Sequence, residues 1–456
     1  AILISATVAC KKKIDDVPNP SVVDVNTIEL SGNLTTQTLD ASKKYLLKGT
    51  VFVNDGQVLT IPAGTTIFGD KATKGCLLIN IGGKIDAQGT ATEPIIFTSA
   101  QAIGARDEGD WCGVILLGKA NVNQSSPTIE GITPGVTYGT TNSTANDADN
   151  SGIMTYCRIE FAGIALTPNN ETNSLTLGGV GSGTTLDYIQ SSFGGDDSFE
   201  FFGGTVNVKH LIAYAGWDDD FDMDFGYSGT LQYAVSIRDA FQADQSGSNG
   251  FEVDNDGAGS AALPFTSAKI SNVTILGPIY DSTKAISGNF QHGAHLRRNS
   301  KISIYNSIIT GFPIGINTEA STAAHYAPAA SPTAFLMGNQ MINLAKYDKT
   351  KSTSNYKDAG TTAVWTDGSA NNATPVVATS TANFNAALTT AGLSSSLLIA
   401  ANGKLISPNF SVTSGTLASG FVTVPSGLET VSYRGAFGTT DWTDTWSEFD
   451  PKNATY

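Results

Sequence analysis

The chain has 456 residues, with 41 acidic against 26 basic side chains and a net charge of −15. This acidity excludes nucleic acid as an expected partner, because phosphate binding needs clusters of Lys and Arg. The length would allow two or three domains, but a β-solenoid also reaches it, since a solenoid extends without widening its core.

The N-terminal segment, residues 1–10, favours the end of a bacterial lipoprotein signal peptide over a short hydrophobic strand. Small and apolar residues lead up to Cys10, which would be acylated, although Thr7 stands where a leucine is usual. A lipid on Cys10 would anchor the protein to a membrane without spanning it. We therefore expect an anchored protein at a cell surface. The alternative is that residues 1–9 are retained as a strand.

Repeated strand signals follow a polar segment. Residues 11–44 are polar and contain two prolines, which predicts a tether. Beyond them, short runs of Val, Ile, Leu and Phe alternate with Gly, Asn, Asp and Thr, and no stretch keeps a helical period. One clear step between similar segments spans 22 residues, from Glu200 to Asp222. A period in the low twenties with several strands per repeat predicts an all-β fold, a parallel β-helix, over residues 45–319.

The last predicted unit, residues 320–456, is a mixed, loop-rich C-terminal cap. Its first part is rich in Ala, Thr, Ser and Asn, with short helices expected near the segment FNAALTTAG, and its end concentrates aromatic residues such as Trp442 and Trp446. A solenoid must cover its open end, and a bulky aromatic segment does so. We therefore expect this region to close the β-helix, with loops folding back onto it.

Three cysteines share one frame, because Cys76, Cys112 and Cys157 each stand six residues before a glycine. The alternation of the third segment buries its cysteine, so we expect an internal stack of sulfur atoms. Inert packing is favoured over a disulfide, since parallel strands direct Cβ atoms poorly for one, and over a metal site.

The strongest signal is acidic. Thirteen Asp and Glu side chains lie between Asp196 and Asp256, against two basic ones, and they give this tract eleven of the fifteen net negative charges. Glu200, Asp222 and Glu252 each follow a phenylalanine and precede another apolar residue, so the acid recurs in the same phase of the strand. If consecutive coils stack, these carboxylates neighbour one another at about 4.8 Å, the spacing of paired strands.

The strand around Asp222 extends this pattern. Its period of two places Asp220, Asp222 and Asp224 on the outer face, and Asp224 forms a second row with Asp254. Like charges at this spacing destabilise each other unless a cation neutralises them. Calcium, a hard cation that prefers oxygen ligands, is therefore the candidate cofactor. Its predicted ligands are Glu200, Asp222, Asp224, Glu252 and Asp254. The alternative is a solvated acidic face, whose repulsion salt screens.

The charge of the rows changes from negative to positive on the next coil, because the strand alignment places His295 and Arg297 in the two acidic rows. Carboxylates beside Arg and His resemble the active sites of β-helix polysaccharide lyases, in which Ca²⁺ binds a uronate and Arg or Lys abstracts a proton. This enzyme hypothesis would use Asp222, Glu252, Asp254 and Arg297. The favoured interpretation is an ion-paired end of the acidic patch.

An aromatic residue beside an acid indicates a further candidate ligand site. Trp217 precedes Asp218, and such a pair either binds sugars by stacking and hydrogen bonding or is a core aromatic at a turn. The predicted ligand-binding set is Trp217, Asp218, Asp220, His295 and Arg297.

Several segments resemble a group of bacterial cell-surface lipoproteins that form right-handed parallel β-helices, namely QVLTIPAGTTIFGD, GDWCGVILLGKANVN, FEFFGGTVNVKHLIAYAGWDDDFD and DWTDTWSEFDP. The resemblance covers most of residues 45–320 and roughly the last 25 residues. It implies a right-handed parallel β-helix. It also implies an extracellular or outer-membrane surface location in a Gram-negative bacterium. The implied role is one beside outer-membrane complexes, such as TonB-dependent receptors, or in glycan binding, and the resemblance transfers no catalytic residues.

The sequence therefore predicts a non-enzymatic extracellular protein, lipid-anchored at Cys10, that contacts a partner protein or a glycan through an acidic β-helix face. Two alternatives stay open. One is a structural subunit that assembles end to end with copies of itself into a filament, because a β-helix has open edges. The other is a calcium-dependent polysaccharide lyase or hydrolase.

Overall fold

The structure is a computed structural model that describes most of the chain. The described ranges are residues 26–132, 135–141, 145–164, 171–326, 332–347, 351–366, 371–393, 410 and 420–456, without the side chains of 346–347 and 351–352. Within these ranges the chain forms 28 strands and three helices. The strands before the first long insertion are β1 (Ile28–Leu34), β2 (Gln37–Thr38), β3 (Lys44–Val53), β4 (Val58–Pro62), β5 (Thr66–Gly69), β6 (Cys76–Ile79), β7 (Lys84–Gln88), β8 (Ile95–Ser99) and β9 (Gly113–Leu117).

The remaining elements follow in chain order. The middle strands are β10 (Gly152–Glu160), β11 (Leu175–Gly178), β12 (Thr185–Ser192), β13 (Phe199–Phe202), β14 (Asn207–Tyr214), β15 (Phe221–Asp224), β16 (Thr230–Ile237), β17 (Phe251–Val253), β18 (Lys269–Leu276) and β19 (His292–Leu296). The last elements are β20 (Ser303–Tyr305), β21 (Ile308–Thr310), β22 (Ile314–Thr318), α1 (Ala320–Ala323), β23 (Leu336–Met337), β24 (Gln340–Leu344), β25 (Lys346–Tyr347), β26 (Lys351–Ser352), β27 (Ser354–Tyr356), α2 (Ala359–Thr366), β28 (Val376–Ala378) and α3 (Thr381–Thr390).

Each coil adds one strand to each of three parallel sheets. Sheet A contains β6, β9, β11, β13, β15, β17, β19, β22 and β27, each paired in parallel with the next. The long strands β10, β12, β14, β16 and β18 each bend once, so that their first halves form sheet B and their second halves form sheet C. This winding confirms the predicted all-β fold, a parallel β-helix.

The bend between sheets B and C recurs at one position of each coil. The bend residues of successive coils have φ between 48° and 60°, the left-handed region that few non-glycine residues adopt. They are Tyr156, Tyr188, His210, Tyr233 and Asn272. Their side chains therefore stack on the outside of one corner of the solenoid, where Tyr156, Tyr188, His210 and Tyr233 form a continuous aromatic column.

Aromatic and aliphatic side chains fill the interior because alternate residues of each strand point inward. Phe199, Phe221 and Phe251 are fully buried and stack from coil to coil, with ring centroids 5.6 and 5.3 Å apart. The acids that follow these phenylalanines must therefore point away from the core.

The β-helix begins earlier than the predicted boundary at residue 45. The strand β1 lies inside the segment predicted as a tether, and it pairs in parallel with β3. Only Leu30 of its side chains is buried, so this strand is held mainly by backbone hydrogen bonds. Its polar composition is the reason why the sequence did not predict a strand here. The predicted segment 1–10, including Cys10, and the first part of the predicted tether lie outside the described residues.

The β-helix also continues beyond residue 319. The strands β24 and β28 extend sheet C and β27 extends sheet A. The helices α2 and α3 pack on these last strands and cover that end of the solenoid, and α3 coincides with the segment predicted to be helical. No helix within the described ranges is long and apolar enough to cross a membrane.

The aromatic C-terminal segment covers a side of the solenoid, not its end. Residues 420–456, here called the C-terminal strap, run back along sheet C and the B–C corner. Three side-chain amides each donate to the carbonyl of one strap residue and accept from the N–H of the same residue, at 2.6–2.9 Å. The pairs are Gln190 with Glu448, Gln232 with Glu429, and Asn306 with Val422. The strap ends on the first coils, where Tyr456 contacts Lys44 and Glu160.

The three cysteines do not form one stack. Cys76 and Cys112 are buried together outside sheet A, whereas Cys157 lies in the main core of the solenoid. The prediction of one stack was wrong because the three segments do not belong to the same sheet. The third segment belongs to sheet C, where Cys157 pairs with Ile95 and Ile189. All three are free thiols.

Candidate metal-binding site

The outer face of sheet A carries one row of side chains from coil to coil. The strand register aligns, in order, Phe52, Leu78, Ile115, Thr176, Glu200, Asp222, Glu252, His295 and Asn317. The row is apolar over the first coils and acidic over three consecutive later ones. The structure therefore brings together the carboxylates that the sequence analysis placed in one line.

A long excursion between β9 and β10 covers the apolar part of this face. Its residues Val122, Ile129 and Tyr138 pack with Leu78 and Ile115 in a small core outside the solenoid. The acidic part begins where this second core ends. The acids Glu200, Asp222 and Glu252 are half-buried, so the array is not fully exposed to solvent.

A second row of side chains, two of them acidic, lies beside the first in the turns that lead into sheet A. The row consists of Asn173, Asp197, Asp219, Asn249 and His292. Each of the first four side chains accepts a hydrogen bond from the backbone N–H of the next residue in the row. Sequence reasoning missed it, although Asn or Asp recurs two residues before the first apolar residue of each strand.

The two rows converge into interlocking triads of carboxylates. Asp197, Glu200 and Asp222 form one group and Asp219, Asp222 and Glu252 form another, and within each group one oxygen from every residue lies within 4.8 Å of the others. Asp222 belongs to both groups. A set of oxygen atoms this close is the donor set that Ca²⁺ prefers.

Burial and mutual repulsion disfavour the charged form of these groups. Burial raises the pKa values of Asp197, Glu200, Asp219 and Asp222 well above their ordinary values, and the neighbouring carboxylates raise them further. Without a cation, the array must therefore take up protons or bear the repulsion. A divalent cation would relieve both costs at once.

A third acidic group extends the site sideways. Asp196, Asp197 and Asp218 also converge within 4.8 Å, and the Oδ1 atom of Asp218 is buried without a hydrogen-bond partner. Beside them lies a cavity of about 50 Å³ lined by Glu130, Glu171, Asp196 and Glu200. A cavity of this volume accommodates an ion or a water molecule, but not a sugar ring.

The far end of the array is neutralised by arginine. Arg297 bonds both Glu252 and Asp254, and Arg298 lies 2.6 Å from Asp254. Burial still raises the pKa of Asp254, although both guanidinium groups oppose this. Asp224 is half-buried beside this pair, and burial raises its pKa to about 8.

Two histidines follow the acidic residues at the same end of the two rows. The imidazole rings of His292 and His295 are 4.3 Å apart, and both residues are more than nine-tenths buried. His295 Nδ1 lies 3.7 Å from Glu252 and Nε2 lies 3.6 Å from Glu319, both beyond hydrogen-bond distance. Neither ring nitrogen of His295 has a hydrogen-bond partner among the described residues. Burial lowers the pKa of His292 to about 3, so this ring is neutral.

Asp220 is not part of the outer face, contrary to the prediction. It is fully buried and forms an ion pair with Arg238 at 2.9 Å, and it also accepts a hydrogen bond from Ser236. The strand β15 begins at Phe221, so the alternation that places Asp222 outside does not extend back into the turn that carries Asp220.

Trp217 and Asp218 are held within turns at the edge of the site. The indole N–H of Trp217 donates to Asp244 at 3.1 Å, and Asp218 accepts from Ser246 at 2.9 Å. Trp217 is half-buried. The pair is therefore tied to the loop before β17, and Asp218 alone faces the carboxylate groups.

Comparison with known proteins places the fold in a family. A family model described as a pectate-lyase-like β-helix domain matches residues 32–391. The chain belongs to this family. The part of this pectate-lyase-like domain that matches includes both acidic rows, Arg297 and His295, and it ends before the C-terminal strap. No curated protein and no solved structure matched the chain.

Proposed function

We propose that this pectate-lyase-like domain is a non-enzymatic extracellular binding protein, whose carboxylate array holds Ca²⁺ and through it an acidic polysaccharide or partner. The observation that carries the proposal is the pair of triads that share Asp222. Five carboxylates lie within these triads, and only Glu252 has an arginine partner.

The residues fit a hard cation on two further grounds. All donors are oxygen atoms, and Asp218 offers a buried carboxylate oxygen with no partner. The second row is held in place by the N–H groups of the next coil, so the site is built before any ion binds. A bound Ca²⁺ would supply open coordination positions for the carboxylates of an acidic ligand. Asp197, Asp219 and Asp222 would orient the ion, and Arg297 would fix Glu252.

Cleavage of an acidic polysaccharide is a second candidate function, and the family membership favours it. A lyase needs a side chain that accepts a proton, and Arg297 is the predicted base. Its two carboxylate partners raise its pKa above the ordinary value, which opposes loss of the proton. Ligand binding is therefore better supported at this site than cleavage. Release of unsaturated products from polygalacturonate in the presence of Ca²⁺ would favour cleavage instead.

The cellular setting is a proposal from the sequence alone. Lipid attachment at Cys10, an outer-membrane surface location, contact with a TonB-dependent receptor complex and end-to-end assembly have their support in the sequence patterns. Mass spectrometry of the protein from its native source tests the lipid directly.

Replacing Asp222 with Asn is expected to abolish most of the stabilisation by Ca²⁺. Saturation at about 100 times the dissociation constant should stabilise the unaltered protein by about 2.7 kcal/mol, and the variant loses a ligand common to both triads. In EDTA the variant should be at least as stable as the parent, because one repelling charge is gone. Thermal unfolding with and without Ca²⁺ measures both effects.

The matched control is Asp55→Asn, an exposed acid on an early coil. It should respond to Ca²⁺ like the unaltered protein. A midpoint that Ca²⁺ leaves unchanged in the unaltered protein would remove the calcium proposal.

In EDTA, the stability of the protein is expected to fall as pH rises from 6.5 to 8. The folded state holds a proton on Asp224 up to about pH 8, whereas the unfolded state loses it near the ordinary value of 3.8. The folded state thus binds more protons across this window, and each such group costs up to about 1.4 kcal/mol per pH unit. His292 favours the opposite trend only below about pH 6.5. A midpoint that rises from pH 6.5 to 8 in EDTA would contradict the assignment, and saturating Ca²⁺ should flatten the profile.

A further inference from the structure

A second cavity lies on the flank of the solenoid, away from the carboxylate array. It has a volume of about 330 Å³, at the lower end of the range typical of small-molecule sites. One wall comes from the B–C corner and the other from the C-terminal strap. Its main lining residues are His210, Tyr233, Glu429, Tyr433, Thr439 and Trp442.

The solenoid wall of this flank cavity is aromatic. His210 is stacked between Tyr188 and Tyr233, with ring centroids 4.2 and 5.1 Å away, and the Trp442 ring meets it edge-on at 5.1 Å. Both faces of His210 are therefore covered, and Tyr233 is only 5% exposed. One face of Trp442 stacks on Phe437, and its half-buried indole is the surface available to the apolar side of a ligand ring.

Two polar groups of the cavity are available to a ligand. Nδ1 of His210 lies 2.7 Å from Asp187, which leaves Nε2 to bond a ligand hydroxyl. Nε2 has no hydrogen-bond partner among the described residues. The carboxylate of Glu429 is held in place by Lys209 and by the hydroxyl of Tyr233, and it is more than half exposed. A ligand that satisfies these groups must present hydroxyl groups.

The local charge selects between classes of such ligands. Glu429 places a carboxylate in the lining of the cavity, and no Lys or Arg is among the described residues that line it. A uronate would meet this negative charge, whereas a neutral sugar would not. We propose that the flank cavity is a binding site for a neutral saccharide of one or two rings. The ring packs on Trp442, and its hydroxyls donate to Glu429 and form a hydrogen bond with Nε2 of His210.

Tryptophan fluorescence tests this assignment, because Trp442 lines the cavity while Trp111, Trp365 and Trp446 are at most 2% exposed. The background is Trp217→Phe, which removes the other half-buried indole. The probes are methyl glycosides of neutral hexoses, neutral disaccharides and galacturonate, each titrated to about 20 mM to detect dissociation constants near 1 mM. At least one neutral probe is expected to give a saturable change.

The variant Glu429→Gln is expected to weaken that binding at least tenfold without loss of fold, because the Glu429–Lys209 pair is exposed at the surface. Asp444→Asn, an exposed acid elsewhere on the strap, is the matched control and should bind like the parent. Three results would overturn the proposal: no saturable change with any neutral probe, binding of galacturonate alone, or unchanged affinity in Glu429→Gln. EDTA should leave this binding unaffected, which separates it from the calcium site.

Discussion

Replacing Arg238 with Met is expected to destabilise the protein by about 3–5 kcal/mol, the usual cost of leaving one partner of a buried ion pair alone. Both side chains of the Arg238–Asp220 pair are fully buried. Burial raises the pKa of Asp220 even with the guanidinium beside it, so removing Arg238 leaves a buried carboxyl group with no opposing charge. Equilibrium unfolding in urea measures the loss.

The double variant Asp220→Val with Arg238→Met is the control for this prediction. Removing both charges should restore most of the stability, because an apolar pair of similar volume replaces an ion pair at little cost. If the single variant unfolds at the same urea concentration as the parent, the ion pair does not stabilise the fold as argued.

Replacing Trp446 with Ala is expected to cost about 3–5 kcal/mol, as for other fully buried tryptophans, and to release the C-terminal strap. The Trp446 ring is fully buried and packs edge-on against Tyr156 and Tyr188. Its loss leaves a cavity between the strap and the aromatic column. Limited proteolysis should then cut within residues 420–456, while the strands of the β-helix stay protected.

The exposed residue Asp444 provides a comparison on the same strap. Asp444→Ala should change neither the unfolding midpoint nor the proteolysis pattern, because surface substitutions away from special contacts have small effects. Equal cleavage of the Trp446→Ala variant and the parent would mean that the strap is not held by this ring.

The acidic row was predictable because its signal is local and repeated. Three consecutive coils each carry a phenylalanine, an acid and another apolar residue, and the buried phenylalanines fix the phase of the carboxylates. The second row was not predicted, because its Asp and Asn residues lie in turns. The strand period of two does not show in which direction a side chain in a turn points. Asp220 was misplaced for the same reason, because a turn and not a strand directs its side chain.

The position of the strap could not be predicted from sequence patterns for a different reason. Its segment has no strand periodicity, and its stability comes from side-chain amides on distant coils, such as Gln190 and Asn306. The aromatic composition indicated that the segment covers something. Whether it covers a side or an end of the solenoid depends on contacts with residues that are distant in the sequence.

The strap also sets the order in which the molecule can be completed. Glu160 on an early coil is fully buried, and its carboxylate accepts from the hydroxyl of Tyr456, a residue 296 positions later. A chain synthesised at about 5–20 residues per second would make the second partner roughly 15–60 s after the first. During this interval the early coils would carry an uncovered aromatic column, and Glu160 would have Arg158 but not Tyr456 as a partner. The emerging half-molecule is therefore the stage at which aggregation or a requirement for chaperones is expected to be greatest.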